Sequence, residues 1–268
     1  MRALGKATAP AEHPPVDTAV KGAFQHLCKG YDQDHGGFGL APKFPKAGRC
    51  LNLTEAIISV DLNFILHVMG WGNPGEKKVA KSMLEHTLKA MSLGGIHDHI
   101  GKGFHRYSVD DEWHVPHFEK MLYDQTQLLA VYSDYSIFTE GTFNHIVRDI
   151  ADYMIQFLRH PVGFMLAIWL QEIRVLAMVE SNPQNFQEGG FYAAEDADSL
   201  PTIDAANKKE GAFCVWTNSE VEQLLKDVPP VRGHPAVAVF CDFYDIRENG
   251  NVPHIYVGFF NFSEREIV

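Results

Sequence analysis

The chain has 268 residues and a mass of 30.1 kDa, and its hydrophobic fraction of 46% is ordinary for a globular protein with a sizeable core. A formal net charge of −11 argues against nucleic acid or an anionic membrane as partner, since both select a basic face. MRALGKATAPAEHPPVDTA lacks a leader-length apolar run, and the most apolar window, Phe164–Met178, is broken by Gln171, Glu172 and Arg174, so a soluble, cytoplasmic protein is expected.

In chain order, residues 1–16 are rich in Ala and Pro and read as a disordered N-terminus. A helix is predicted from Thr18 to Cys28, then a Gly-rich turn at His35–Gly39. Pro42 and Pro45 next force extended backbone around Phe44. Asn52–Met69 and Glu76–Ser92 carry apolar residues at helical spacing, the second ended by Gly94-Gly95. His117–Phe138 has the strongest helical pattern, with Pro116 at its start. A second face of that predicted helix collects His117, Lys120, Asp124 and Gln127. Thr142–Leu158 is another amphipathic helix, Gly189–Ser199 an acidic turn, Glu210–Thr217 a short strand or extended segment, and Ser219–Leu225 a short helix capped by Ser219 or Asn218. Helices dominate and no βαβ alternation appears, so the class is mainly α. The four cysteines, Cys28, Cys50, Cys214 and Cys241, form no Cys-x-x-Cys and read as reduced, buried thiols.

The segment Gly94–Gln127 concentrates the chemistry. In 34 residues it holds five histidines, His97, His99, His105, His114 and His117, among carboxylates, Arg106 and the aromatics Phe104, Tyr107, Trp113, Phe118 and Tyr123. A pocket needs that mixture: aromatics make walls, and convergent polar groups orient a ligand and move protons. His97-x-His99 and His114-x-x-His117 with Glu119 match no zinc signature, and neither a Walker A nor a Rossmann fingerprint exists. No metal and no cofactor are expected. A Gly-Gly pair followed by an apolar residue recurs at Gly36, Gly94 and Gly189, each after a helix, with separations of 58 and 95 residues. Such helix–helix–Gly-Gly units suggest stacked α-hairpins in a toroid or a solenoid.

GGFGLAPKFP (36–45), GGIHDHIGKGFHRYSVDDEWHVPHFEKMLYDQ (94–125), GGFYAAEDADS (189–199) and EGAFCVWT (210–217) resemble the spermatogenesis-associated protein 20 family. The resemblance covers residues 18–161 and 189–253. It implies a six-hairpin, (α/α)6 toroid like that of sugar epimerases and six-hairpin glycosidases, preceded in the family by a thioredoxin-like domain that is expected to be missing from this chain. The expected fold is thus a partial toroid over 17–268, incomplete at the C-terminus. Phe164–Gly189 reads as an insertion, because excising those 26 residues restores the family's join, HPVGGFYAAEDADS, and brings the second separation to 69.

The resemblance implies a carbohydrate-active pocket, epimerase-like or glycosidase-like, in a chain expected to be inactive by itself. Histidine supplies a near-neutral base for epimerisation, and paired carboxylates supply glycoside hydrolysis. The expected catalytic residues are His97, Asp98, His99, His105, Arg106, His117, Glu195 and Asp196. Phe44, Tyr107, Trp113, Lys120, Tyr123, Asp124, Tyr192 and Asp198 are expected to bind substrate. The implied partners are a small sugar and a protein that covers the open toroid. The other reading is a non-catalytic ligand- or partner-binding protein with a role in fertility or in thioredoxin-linked redox regulation. An open ring would expose apolar inner faces, so marginal stability is expected.

Overall fold

The computed structural model describes residues 16–46, 61–160 and 190–251. The helices are α1 (Val16–Gly30), α2 (Asp61–Trp71), α3 (Pro74–Leu93), α4 (Leu122–Phe138), α5 (Asn144–Tyr153), α6 (Asn218–Leu225) and α7 (Ala236–Phe243), and α5 runs into a π-helical turn at Met154–Leu158. Among the described residues, six two-residue strands form three antiparallel ribbons: β1 (Tyr107–Ser108) with β2 (Pro116–His117), β3 (Lys120–Met121) with β4 (Ala194–Glu195), and β5 (Asp198–Ser199) with β6 (Lys209–Glu210). The molecule is mainly α, as the sequence pattern predicts. The predicted start of the second helix, Cys50, Gly189, the predicted insertion, the N-terminal 1–15 and the chain beyond Asn251 lie outside the described residues.

Local sequence explains the best helix. Asn73 accepts hydrogen bonds from the backbone N–H groups of Gly75 and Glu76, and Glu76 accepts one from the Asn73 N–H. This reciprocal cap, with Pro74 in the first turn, sets the start of α3. Its inner stripe, Ala80, Met83, Leu84, Thr87, Leu88 and Met91, follows helical spacing and is buried. α2 and α3 pack as one hairpin, and α4 and α5 as another. Between them Leu62, Ile65, Leu84, Leu88, Leu128, Val131 and Ile150 join a single apolar core. The buried Tyr132 hydroxyl donates to the Leu88 carbonyl at 2.7 Å, so the core leaves that polar tip satisfied. α6 and α7 pack together beside an open apolar pocket of 220 Å³ lined by Leu225, Val228, Val231 and Phe240 among others.

Several predicted boundaries move. α4 begins at Leu122 rather than His117, because residues 106–121 satisfy their backbone groups laterally: β1 pairs with β2, β3 pairs with β4, and the Arg106 N–H donates to the Glu119 carbonyl. His117 and Lys120 therefore share no helical face. The acidic turn resolves into β4 and β5, and of the predicted extended segment Glu210–Thr217 only Glu210 belongs to a paired strand, β6, before the chain turns sharply at Gly211. α6 is capped by Thr217 with Glu220, one residue before Asn218, again as a reciprocal box.

Candidate functional site

The histidine-rich loop between α3 and α4 is built inward from backbone anchors. Asp110 accepts from the N–H groups of Glu112, His114 and Val115 and from the Ser108 hydroxyl. Buried Gln125, from α4, brackets Phe104 by accepting from its N–H and donating to its carbonyl. Gly95 lies so close to the chain opposite that a Cβ there would sit 2.1 Å from the His114 carbonyl oxygen, which is why the loop's first turn needs glycine.

Residues 117–120 then alternate as extended chain does. Phe118 and Lys120 point to the interior, and His117 and Glu119 point outward. That alternation divides the candidate residues into two groups.

The inner group gathers around Lys120. Its ammonium, 3% exposed, donates to Asp98 Oδ2 at 2.7 Å and to the Lys102 carbonyl at 2.9 Å, and it lies 4.7 Å from the centre of the Tyr153 ring. Asp98 Oδ1 accepts the Gly101 N–H at 2.6 Å and the Ile100 N–H at 3.1 Å. Burial works to raise the Asp98 carboxyl, but Lys120 and the donors around it hold it well below the usual carboxylate range. His105 is buried and its Nδ1 sits 3.0 Å from the Phe118 carbonyl. Burial first, and the Lys120 charge next, keep its imidazole neutral. His97 bridges Ser92 and Asp149, stacks on Phe104 and meets His99 edge to face. His99 donates to the Gly94 carbonyl, and burial followed by its neighbour His97 pushes its pKa down to about 3. Glu195 faces Lys120 across the β3–β4 pair and accepts the Tyr153 hydroxyl at 2.6 Å. The cavity here, lined by His97, Asp98, His99, His105, Phe118 and Cys214, measures 10 Å³. That is room for about one water molecule, too little for a sugar ring.

The outer group is half-buried at the surface. Phe44 packs on Tyr107 at 4.8 Å, and Tyr107 stacks on His117 at 4.9 Å with only 20° between planes. His117 Nδ1 reaches Glu210 at 2.5 Å, and Arg106 pairs with Glu119 at 2.9 Å. Beside them Tyr123 and Asp124 begin α4. Asp124 Oδ2 is buried and finds no hydrogen-bond partner among the described residues. Burial, only partly opposed by Arg106 and reinforced by the negative charge of Glu119, lifts the Asp124 carboxyl to about 7.

Four expected residues fall elsewhere. Trp113 is fully buried, donates from its indole to the His35 carbonyl and takes the Lys43 ammonium over its ring, so it braces the core. Asp196 pairs with Lys208 on the surface, Asp198 sits exposed on β5, and Tyr192 lies against His160. Conversely, Glu119, Tyr153, Glu210 and Cys214 belong to the two groups although the sequence reading placed none of them among the catalytic or substrate-binding residues. Glu119 could have been found from the alternation of 117–120; the other three are distant in sequence and no local pattern marks them. The three described cysteines are free and half-buried rather than fully buried.

Comparison with known proteins finds no matching family model. An uncharacterized Caenorhabditis elegans protein is 41% identical over 256 residues, 94% of this chain and 30% of that protein. Human spermatogenesis-associated protein 20 is 38% identical over 245 residues, 89% of this chain and 26% of that protein, and the rat protein of the same name is 36% identical over 243 residues. The chain thus spans well under half the length of the curated relatives it matches.

Proposed function

We propose, for a chain that belongs to the spermatogenesis-associated protein 20 family, that the outer group is an acid–base site for a carbohydrate, carried on part of an (α/α)6 toroid. One observation carries the reading: Asp124 is a buried carboxyl, unpartnered at Oδ2, whose proton is held to about pH 7 beside the Arg106–Glu119 pair. A carboxylic acid that keeps its proton near neutrality can donate it to a leaving oxygen or return it beside a carbonyl, while a neighbouring carboxylate takes the opposite role. Asp124 is the donor in this scheme and Glu119 its ionised partner, with the Arg106 guanidinium placed to orient a hydroxyl or carbonyl oxygen. The Phe44–Tyr107–His117 stack supplies flat apolar surface of the kind that sugar faces pack on. The carbohydrate class itself rests on the likeness of the family's architecture to sugar epimerases and glycosidases, which is an analogy of fold.

A panel of mono- and oligosaccharides titrated against thermal unfolding tests this. A ligand at a hundred times its dissociation constant adds about 2.7 kcal/mol of stability, which is several degrees for a chain of this size. The expected result is a rise in Tm with at least one sugar, abolished by Tyr107→Ala. Asp124→Asn should keep that binding in this chain, and the matching substitution in a full-length relative should lose turnover. A panel that shifts nothing, on this chain and on a full-length relative alike, would overturn the proposal.

A further inference from the structure

The inner group offers a chemistry the proposed acid–base site does not use. Asp98, His105 and Cys214 each present a donor atom, and these oxygen, nitrogen and sulfur atoms lie within 4.8 Å of one another. The residues come from two separate loops, and the turn that delivers Cys214 is itself constrained. Gly211 takes φ +69°, and a Cβ there would meet the Phe118 ring at 2.5 Å, while the Cys214 N–H donates to the Gly211 carbonyl. The same three side chains line the 10 Å³ cavity, the size of a single water or ion.

Each ligand is also oriented from behind. A carbonyl can only accept, so His105 Nδ1 carries the proton it gives to Phe118, and Nε2 keeps its lone pair. Asp98 is fixed by two backbone N–H groups on Oδ1 and by Lys120 on Oδ2. A carboxylate oxygen has two lone-pair directions, so Oδ2 can keep Lys120 and still face the cavity. We propose that Asp98, His105 and Cys214 form a site for one zinc-like divalent cation, with a fourth position open. A mixed oxygen, nitrogen and sulfur set with three protein ligands suits zinc over magnesium or calcium, which take oxygen ligands. Coordination replaces the thiol S–H with a metal–sulfur bond, and the proton leaves to solvent. The surrounding charges then close: Asp98, the Cys214 thiolate and Glu195 stand against Lys120 and the dication. This inference is independent of the carbohydrate reading, since it uses none of the outer residues. It also departs from the expectation of no metal, and its ligands exclude the His97-x-His99 pair, whose rings bond Ser92, Asp149 and Gly94.

The test uses the whole, reduced, untagged chain, titrated with cobalt(II) as a spectroscopic stand-in for zinc. The expected result is one cobalt per chain with a sulfur-to-cobalt charge-transfer band, discharged by one equivalent of zinc. Cys214→Ser should remove the band and weaken zinc at least tenfold. The combined Cys28→Ser, Cys50→Ser and Cys241→Ser variant should keep both. Circular dichroism verifies that each variant is folded. A folded chain with no band overturns the proposal, and so does a band that survives Cys214→Ser or disappears in the combined variant.

Discussion

At the scale of single residues, Asp124 and Asp98 show how environment gives one side-chain type two behaviours. They begin the same in the sequence, both beside the histidine-rich loop. Asp98 meets an ammonium and two N–H donors and stays ionised; Asp124 meets apolar burial and the Glu119 charge and holds its proton. The second case has a consequence for stability. A carboxyl whose folded pKa lies above its unfolded value of 3.8 favours folding fully below that value, and the benefit is lost as pH rises through about 7. Above pH 7 the folded state carries a buried, unpartnered charge. Asp124→Asn should therefore leave stability near pH 4 little changed and raise it at pH 8 by ~2–4 kcal/mol relative to the natural chain. Urea unfolding midpoints at the two pH values check this; equal midpoints for both proteins at pH 8 would show that Asp124 is not held in its protonated form.

Secondary-structure elements were legible where a local cap agreed with periodicity, and shifted where lateral pairing competed. α3 is expected from Glu76 and begins at Pro74, two residues earlier, a start that Asn73, Pro74 and Glu76 specify without reference to the rest of the chain. Removing the cap by Asn73→Ala should cost ~1 kcal/mol, measurable as a lower Tm with the rest of the fold intact; an unchanged Tm would mean the α2–α3 packing alone sets that helix end. α4 begins at Leu122, five residues after the start that periodicity predicts, for the opposite reason. Phe118, Met121 and Leu122 fit helical spacing, but the backbone of 116–121 is claimed by partners at 107–108 and 194–195. That competition matters for function, since the extended form is what sends Lys120 inward and His117 outward and so divides the site. The same pairing ties Glu195 to Lys120, an approach that no helix over 117–121 would permit.

For the whole molecule, the balance between core and surface is the relevant quantity. The core of α1 to α5 is continuous, yet large apolar side chains remain outside it. Trp71 is 69% exposed, Ile137 77% and Phe138 56%, with Phe138 beside Gly70 at the end of the α2–α3 hairpin. Exposed apolar groups in one region mark contact surfaces or association hazards. The isolated chain should bind a hydrophobic dye and self-associate with rising concentration, and Ile137→Ser with Phe138→Ser should reduce both; sedimentation as a single monomer at all concentrations, with no dye binding, would contradict this. Among the described residues no helix is long and apolar enough to cross a membrane. The helical class, the capped and periodic helices, and the concentration of chemistry in 94–127 were written in the linear order of residues, because periodicity and capping act over a few neighbours. Which groups share a site was decided only in three dimensions. Burial and charge partners come from segments far apart in the chain, so Cys214 and Tyr153 join the histidines, Trp113 withdraws into the core, and Asp124 acquires a proton that its own neighbours in sequence do not explain.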